Sequence, residues 1–418
     1  MAQLSSDWAA FGETMRSVDD AVATIMSSLV AVEGVEAVPL VEADGRILAD
    51  DLIAPMALPP FTNSAVDGYA IRAADLSIVE DRTFTVAGRI QAGGLATPAI
   101  APGQATRIFT GAPMPERADT VFMQEDVRLD EAGRVVLPSG LKRGANVRPA
   151  GEDVAFGQRI LPAGRRMQPQ DIALCAALGL TEIVVRRRVR VAVFSTGDEI
   201  VAPGQSRGPT QLFDSNRFML TAMLRRLACA VSDLGILGDD VVLIADALRR
   251  AAATHDLILA SGGVSTGEAD HVKAGLESVG ALAFWRVAIK PGRPVAMGEI
   301  EGAPFIGLPG NPVASFVTFV HIARPAIFAL AGATPQLQIS VPVRAAFSYR
   351  KKLGRREYLR VNLRAAPDGS LEAIKFSREG AGLLSSMVET DGLVELSEDA
   401  TTVEPGQTIA FVPYSLLL

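Results

Sequence analysis

Residues 255–272 run HDLILASGGVSTGEADHV: an apolar stretch, a glycine pair, then hydroxyls, acids and a histidine. The apolar stretch at 256–260, closed by Ser-Gly-Gly, has the length and content of a buried strand, and helical spacing resumes from about 268 to 279. A glycine-rich turn between a strand and a helix aims N–H groups at open space, which suits a phosphate or another oxyanion. Ser265 and Glu268 also fit the hydroxyl-x-x-acid capping box, so the turn reads equally as a capped helix start.

The same alternation extends to both sides. A strand is expected at 189–194, a helix at about 215–227, a strand at about 230–234 and a helix at 240–254. Further strands near 283–289 and 304–307 precede a helix from about 312. Strands and helices alternating through short links predict a doubly wound parallel α/β sheet. VAVFSTGDE at 191–199 repeats the Ser-Thr-Gly-acid ending of 257–270, and GLPGNP at 307–312 supplies another glycine-rich strand end. Open α/β sheets take ligands at the carboxyl ends of their strands. Ser195, Thr196, Gly262, Gly263, Ser265, Pro309 and Gly310 are therefore candidate binding residues.

The flanks differ in texture. Residues 18–33 carry Val22, Ile25, Met26 and Leu29 at helical spacing, a stripe for packing or dimerisation. From 55 to 147 short β-rich runs alternate with Gly and Pro turns, and from about 335 such runs return, with turns at PDGS, TDG and EPGQ. The chain divides into a helical and dimerisation region (1–54 and 148–185), an inserted β domain (55–147), the α/β domain (186–332) and a C-terminal β barrel (333–418). The fold class is α/β multidomain.

Composition narrows the function. Half of the 418 residues are hydrophobic (49%), enough for well-filled cores, and a net charge of −7 argues against a general nucleic-acid surface. Cys175 and Cys229 sit in apolar helix-like stretches without ligand spacing, so buried thiols in a reducing, cytoplasmic setting are expected. Asp7, Glu13, Asp19 and Asp20 precede any long apolar segment, unlike a signal peptide, and the most membrane-like stretch is interrupted by His321, Arg324 and Pro325. No membrane or nucleic-acid partner is expected.

The sequence contains none of G-x-G-x-x-G, G-x-x-x-x-G-K-[ST] or H-E-x-x-H, which removes the usual signals of dinucleotide redox, NTPase and zincin chemistry. His271 either touches ligand or caps its helix, and His255 and His321 read as structural. Asp214 and Asp270 fall at helix starts, where an acid serves the helix dipole or supplies the hard oxygen that Mg²⁺ prefers. AIKPGRPVAMG, 288–298, sets Lys290 and Arg293 around a Pro-Gly turn, a cation pair suited to phosphate or a tetrahedral oxyanion.

FTNSAVDGYA (61–70), RIFTGAPMP (107–115), NVRPAGEDV (146–154), STGDEI, FDSNR, SGGVSTGEADHV, IKPGRP and GLPGNPVAS follow one another in an order that resembles the molybdopterin molybdenumtransferase family, the bacterial MoeA type related to the gephyrin E domain. The resemblance spans nearly the whole chain. It implies that adenylylated molybdopterin and molybdate are substrates, that molybdate is inserted with release of AMP, and that Mg²⁺ assists. It also implies a homodimer whose site combines two subunits, and contacts with other proteins of molybdenum cofactor synthesis. Matched by motif, it implies catalytic roles for Asp67, Thr110, Asp171, Asp214, Asp270 and Lys290, and binding roles for Arg148, Asp153, Arg293 and Ser385 or Ser386.

Two positions depart from the pattern. The turn reads KPGRP where Lys-Pro-Gly-Lys-Pro is expected, and Asp171 stands where some relatives carry the longer Glu. An interaction scaffold is the rival class. A molybdopterin adenylyltransferase is a second rival, which the flanking β regions argue against.

Overall fold

The computed structural model describes residues 16–95, 99–263, 271–292 and 294–417. Its central sheet holds β1 (Arg190–Thr196), β2 (Ala230–Leu237), β3 (Leu257–Ser261), β4 (Ala281–Arg286), β5 (Pro294–Ile300) and β6 (Ala303–Leu308), in the spatial order β2-β1-β3-β6-β5-β4. The first four in that order are parallel, and β5 runs antiparallel to both β6 and β4. The parallel part is the layer expected from sequence. β5 is an addition: its PVAMGEI opens on a proline directly after the cationic turn, and the alternation disguised it as loop. A two-residue hairpin, Glu301 and Gly302 at φ 47° and 88°, turns β5 into β6, as mirror-image hairpin turns require.

Helices cover both faces. The helices are α1 (Val18–Ser28), α2 (Pro169–Ala177), α3 (Asn216–Arg226), α4 (Val241–Ala252), α5 (His271–Val279), α6 (Pro312–Thr318), α7 (Arg324–Leu330) and α8 (Ser385–Val388), with a π turn at Phe319–Ala323 joining α6 to α7; α2 packs away from this sheet, its Cys175 in a core with Leu48 and Val185. Successive side chains of a strand point to opposite faces, so Ala192 and Phe194 meet Ile244 and Leu248 of α4 and Val272 and Leu276 of α5. Val191 and Val193 pack on the other side with Leu220 and Leu224 of α3, Val317, Val320 and Ile327. Burial on both faces explains why the strands read as continuous apolar runs. Among the described residues Pro312–Leu330 is the one helix long and apolar enough to span a membrane, and it lies in this core with 78% of its most apolar 18-residue window buried.

α1 docks on the same core. Ser17 caps it by accepting from the Asp20 N–H at 3.0 Å, and Val18, Ala21 and Ile25 are buried against the α7 side. The stripe expected from sequence is thus divided: Ile25 is buried within its own chain, while Val22 and Met26 line an open groove with Val320 and Phe328. Val35–Pro39 pairs antiparallel with Glu182–Arg186, and Leu52–Ile53 pairs with Arg159–Leu161, so segments on both sides of the β insert close on each other. The insert's six-stranded sheet is mixed, with Gly68–Ile71 between Thr120–Met123 and Gln104–Ile108.

At the C-terminal end Arg356–Ala365 pairs with both Leu371–Lys375 and Gly392–Leu396, which closes five strands into a barrel. The central unit lends this barrel a strand: Ile289–Lys290 runs parallel to Arg356–Glu357.

Candidate functional site

The carboxyl ends of β1, β3 and β6 lie side by side because the parallel register pairs Ser195 with Ser261 and Ser261 with Leu308. Just beyond them Gly262 (φ 91°) and Gly263 (φ 64°) adopt a left-handed backbone. A Cβ on Gly263 would run into Val272 and Thr196, so only glycine lets the loop pass. Asn216, the first residue of α3, ties the edge together by donating to Ser261 Oγ at 2.9 Å and to the Gly310 carbonyl at 2.7 Å. Pro309 is buried behind this loop and Gly310 is exposed on it.

Buried polar atoms without a partner gather here. Ser195 Oγ, Thr196 Oγ1 and Asn216 Oδ1 at the edge, and Ser315 Oγ and Thr318 Oγ1 on α6, have no hydrogen bond among the described residues. Each such atom costs about 1–3 kcal/mol when left unmade, so a group of five marks a place where something else supplies the partner. The Gly262 N–H, by contrast, is committed to the Leu308 carbonyl at 3.0 Å. It belongs to the sheet and is not available to a phosphate.

Two predicted carboxylates have other tasks. Asp214 is buried, and its oxygens accept from the Arg217 backbone N–H at 3.2 Å and from Arg217 Nε at 2.9 Å, while Arg217 also pairs with Asp233. Asp214 therefore anchors the start of α3. The Arg217 guanidinium stands against this carboxylate, which therefore meets a cation within its own chain. Asp171, also buried, closes a reciprocal capping box with Gln168 and takes a bidentate bond from Arg165, at 2.8 Å on both oxygens. Within its own unit its carboxylate serves as a helix cap and as a clamp for Arg165.

Lys290 lies in the cleft between the central unit and the barrel. Its Nζ donates to Tyr349 Oη at 2.9 Å and to Glu357 Oε2 at 3.1 Å, and its side chain is 40% exposed. The cleft, about 350 Å³, is also lined by Gly292, Pro309, Asn311, Arg360, Lys375 and Arg378. Ser386 is nearby in the fold: Arg360 Nη1 donates to its Oγ at 2.8 Å and to the Gly380 carbonyl at 2.8 Å, and the Val313 N–H bonds the Ala381 carbonyl at 3.0 Å. Ser386 is buried and Ser385 exposed. Gly292 (φ 117°) sits where a Cβ would strike Thr318, which keeps the cationic turn tight against α6.

A third group lies on the insert. Asp67 Oδ1 accepts from the Thr110 N–H and Oγ1, both at 2.8 Å, and these bonds hold its carboxyl below the usual aspartate range. Val147–Arg148 pairs with Asn63–Ser64, and Arg148 and Asp153 are exposed beside it. Among the described residues no hydrogen bond or ion pair joins this group to the strand-end loops or the cleft. Ser265, Asp270 and Arg293 lie outside the described residues. His321 is buried and stacked on Tyr358 at 4.0 Å, with burial pushing its imidazole down to about 3, in keeping with a structural histidine.

Sequence reasoning missed Tyr349, Glu357 and Arg360, which stand about 60 to 70 residues beyond Lys290 and are brought to it by the barrel. FDSNR, one of the motifs that carry the family resemblance, contains Asn216, which was not singled out.

Comparison with known proteins covers nearly all of the chain. Residues 16–179 match the MoeA N-terminal region (domain I and II), 192–329 a probable molybdopterin binding domain, and 342–414 the MoeA C-terminal region (domain IV). Molybdopterin molybdenumtransferase of Haemophilus influenzae is 38% identical over 97% of this chain and 100% of its own length. Molybdopterin molybdenumtransferase of Nostoc sp. is 33% identical, over 95% and 92% respectively. The crystal structure of a molybdopterin biosynthesis moeA protein from Pyrococcus horikoshii OT3 superposes with a TM-score of 0.83 at 28% identity, covering 96% of this chain and 100% of that one.

Proposed function

The chain belongs to the MoeA family of molybdopterin molybdenumtransferases, enzymes of molybdenum cofactor biosynthesis that bind molybdopterin, and from that premise we propose how its own residues divide the work. Molybdate and adenylylated molybdopterin are the substrates, and the products are the molybdenum-loaded pterin and AMP. The pyrophosphate lies across the carboxyl edge of β1, β3 and β6. There Ser195, Thr196 and Asn216 bring polar atoms that lack partners among the described residues, and this is the observation that carries the reading. In phosphoryl transfer the protein contributes mainly position and charge compensation, which rigid strand ends are suited to give. Lys290, with Arg293, holds the oxyanion in the cleft beside the barrel.

Mg²⁺ is commonly held by one or two carboxylates together with substrate phosphates, and of the two matched to the metal, Asp214 is bonded to Arg217 and Asp270 is the one assigned to it here. The working form is a homodimer in which the insert of one subunit, carrying Asp67, Thr110, Arg148 and Asp153, reaches the strand-end loops of the other. The exposure of Thr110, Arg148 and Asp153, and the lack of bonds from this group to the strand-end residues among the described residues, support that arrangement. Both cysteines are free and buried, which suits a reducing compartment such as the cytoplasm.

The test is to incubate the purified protein with adenylylated molybdopterin, molybdate and Mg²⁺, and to follow AMP and reconstituted cofactor. Release of both in equal amounts is expected. Pterin binding without AMP release, over a full magnesium titration, overturns the reading.

A further inference from the structure

Glu357 has no solvent exposure, yet it carries a carboxylate, and three groups converge on it. Arg355 Nε donates to Oε1 at 2.6 Å, Tyr349 Oη donates to Oε2 at 2.8 Å, and Lys290 Nζ donates to the same Oε2 at 3.1 Å. Burial, together with the bond to Glu357, raises the Tyr349 phenol well above its ordinary range, so the hydroxyl keeps its proton and directs it to Glu357. Its lone pair is then the acceptor for Lys290 at 2.9 Å, and the direction of each bond in the triangle is fixed. Lys290 and Lys375 also both stand 5.6 Å from the centroid of the Tyr349 ring.

An ammonium has three N–H donors on a flexible four-carbon stem, and its position is ordinarily loose. Here two of the three donors are held, by Tyr349 and Glu357, while the side chain remains 40% exposed at the cleft. We propose that Glu357 and Tyr349 are positioning residues that orient Lys290, leaving its third N–H for the oxyanion that enters between the central unit and the barrel. Neither touches the oxyanion. The inference rests on the assignment of Lys290 to the oxyanion, and the experiment separates the two.

Molybdate binding is measured by calorimetry, and the molybdate dependence of AMP release by kinetics, for Lys290→Ala, Tyr349→Phe, Glu357→Gln and the double variant Lys290→Ala/Tyr349→Phe. Tyr349→Phe keeps the ring and the Glu357 pairings with Arg355 and Lys290, and serves if Glu357→Gln does not fold. Tyr349→Phe is expected to raise the molybdate KM and Kd about fivefold, with a smaller fall in turnover at saturation. It should add nothing in the Lys290→Ala background, because it acts through that residue. Unchanged molybdate dependence in Lys290→Ala overturns the oxyanion assignment itself. A shift in Lys290→Ala with none in Tyr349→Phe, or equal effects of Tyr349→Phe in both backgrounds, overturns the positioning role alone.

Discussion

Asp214 reads two ways in the sequence, as a helix-start acid or as a metal ligand, Asp171 has a catalytic role implied by the family likeness, and in the structure each is bonded to an arginine. Asp214→Asn removes the charge that faces Arg217 in a buried setting, and breaking such a pair costs about 3 kcal/mol or more. The variant is expected to melt earlier and to lose AMP release along with the geometry of α3, while the magnesium concentration for half-maximal release stays where it is in the parent; a rightward shift of that magnesium curve would restore the metal role. Asn216→Ala leaves Ser261 and Gly310 untied and removes an edge carboxamide. It is expected to weaken adenylylated molybdopterin binding about tenfold, equivalent to about 1.4 kcal/mol, and fluorescence titration of the bound pterin measures this. The strand-end residues Ser195 and Thr196 and the loop residue Gly263 stand out in the sequence because strand, glycine and hydroxyl follow one another locally. Glu357 and Tyr349 do not, since nothing near either of them in sequence mentions a lysine some sixty residues away.

At the scale of elements, periodicity was the reliable guide. α3 and α4 fall within two residues of their expected bounds because apolar spacing and caps agree: Asp240 accepts from the Val242 and Leu243 N–H groups at 2.8 and 3.0 Å. β5 was illegible because an opening proline and a preceding Pro-Gly turn look like loop. α1 shows the limit of a stripe, which tells that a face is buried but not against what. Ile25 is 1% exposed in the central core, so Ile25→Ala is expected to lower unfolding free energy by about 2–4 kcal/mol. Denaturation at several protein concentrations checks the partner: a loss that does not vary with concentration fits docking within the chain, and one that vanishes on dilution assigns Ile25 to a subunit interface instead.

For the whole molecule, Asp256 joins units that are far apart in sequence. It takes bidentate bonds from Arg187 at 2.6 and 2.9 Å and a further pair from Arg190, while Arg187 Nε donates to the Glu33 carbonyl at 2.6 Å. Burial alone would raise the Asp256 carboxyl, but the arginine bonds outweigh it and hold it far below the usual aspartate range. A depressed native value means the stabilisation is complete above the unfolded value of about 3.9 and fades as pH falls below it. The gap in unfolding free energy between the parent and Asp256→Asn is therefore expected to be full at pH 7 and to close in steps below about pH 4; a gap independent of pH would rule out this ion pair as its source. Subunit pairing belongs to this scale too: sedimentation is expected to show a dimer at micromolar concentration, and Met26→Asp, in the groove of Val22 and Phe328, to shift it toward monomer. The strand Ile289–Lys290 has a mechanical consequence. Its backbone is stitched into the barrel, yet four residues later Pro294 begins β5 of the central sheet, so the turn is a tether clamped at both ends. With so little slack, any tilt of the barrel against the central unit drags the Lys290 ammonium with it, and a ligand that pulls on that ammonium tugs the barrel in return: the cation works as a gauge of the angle between two bodies.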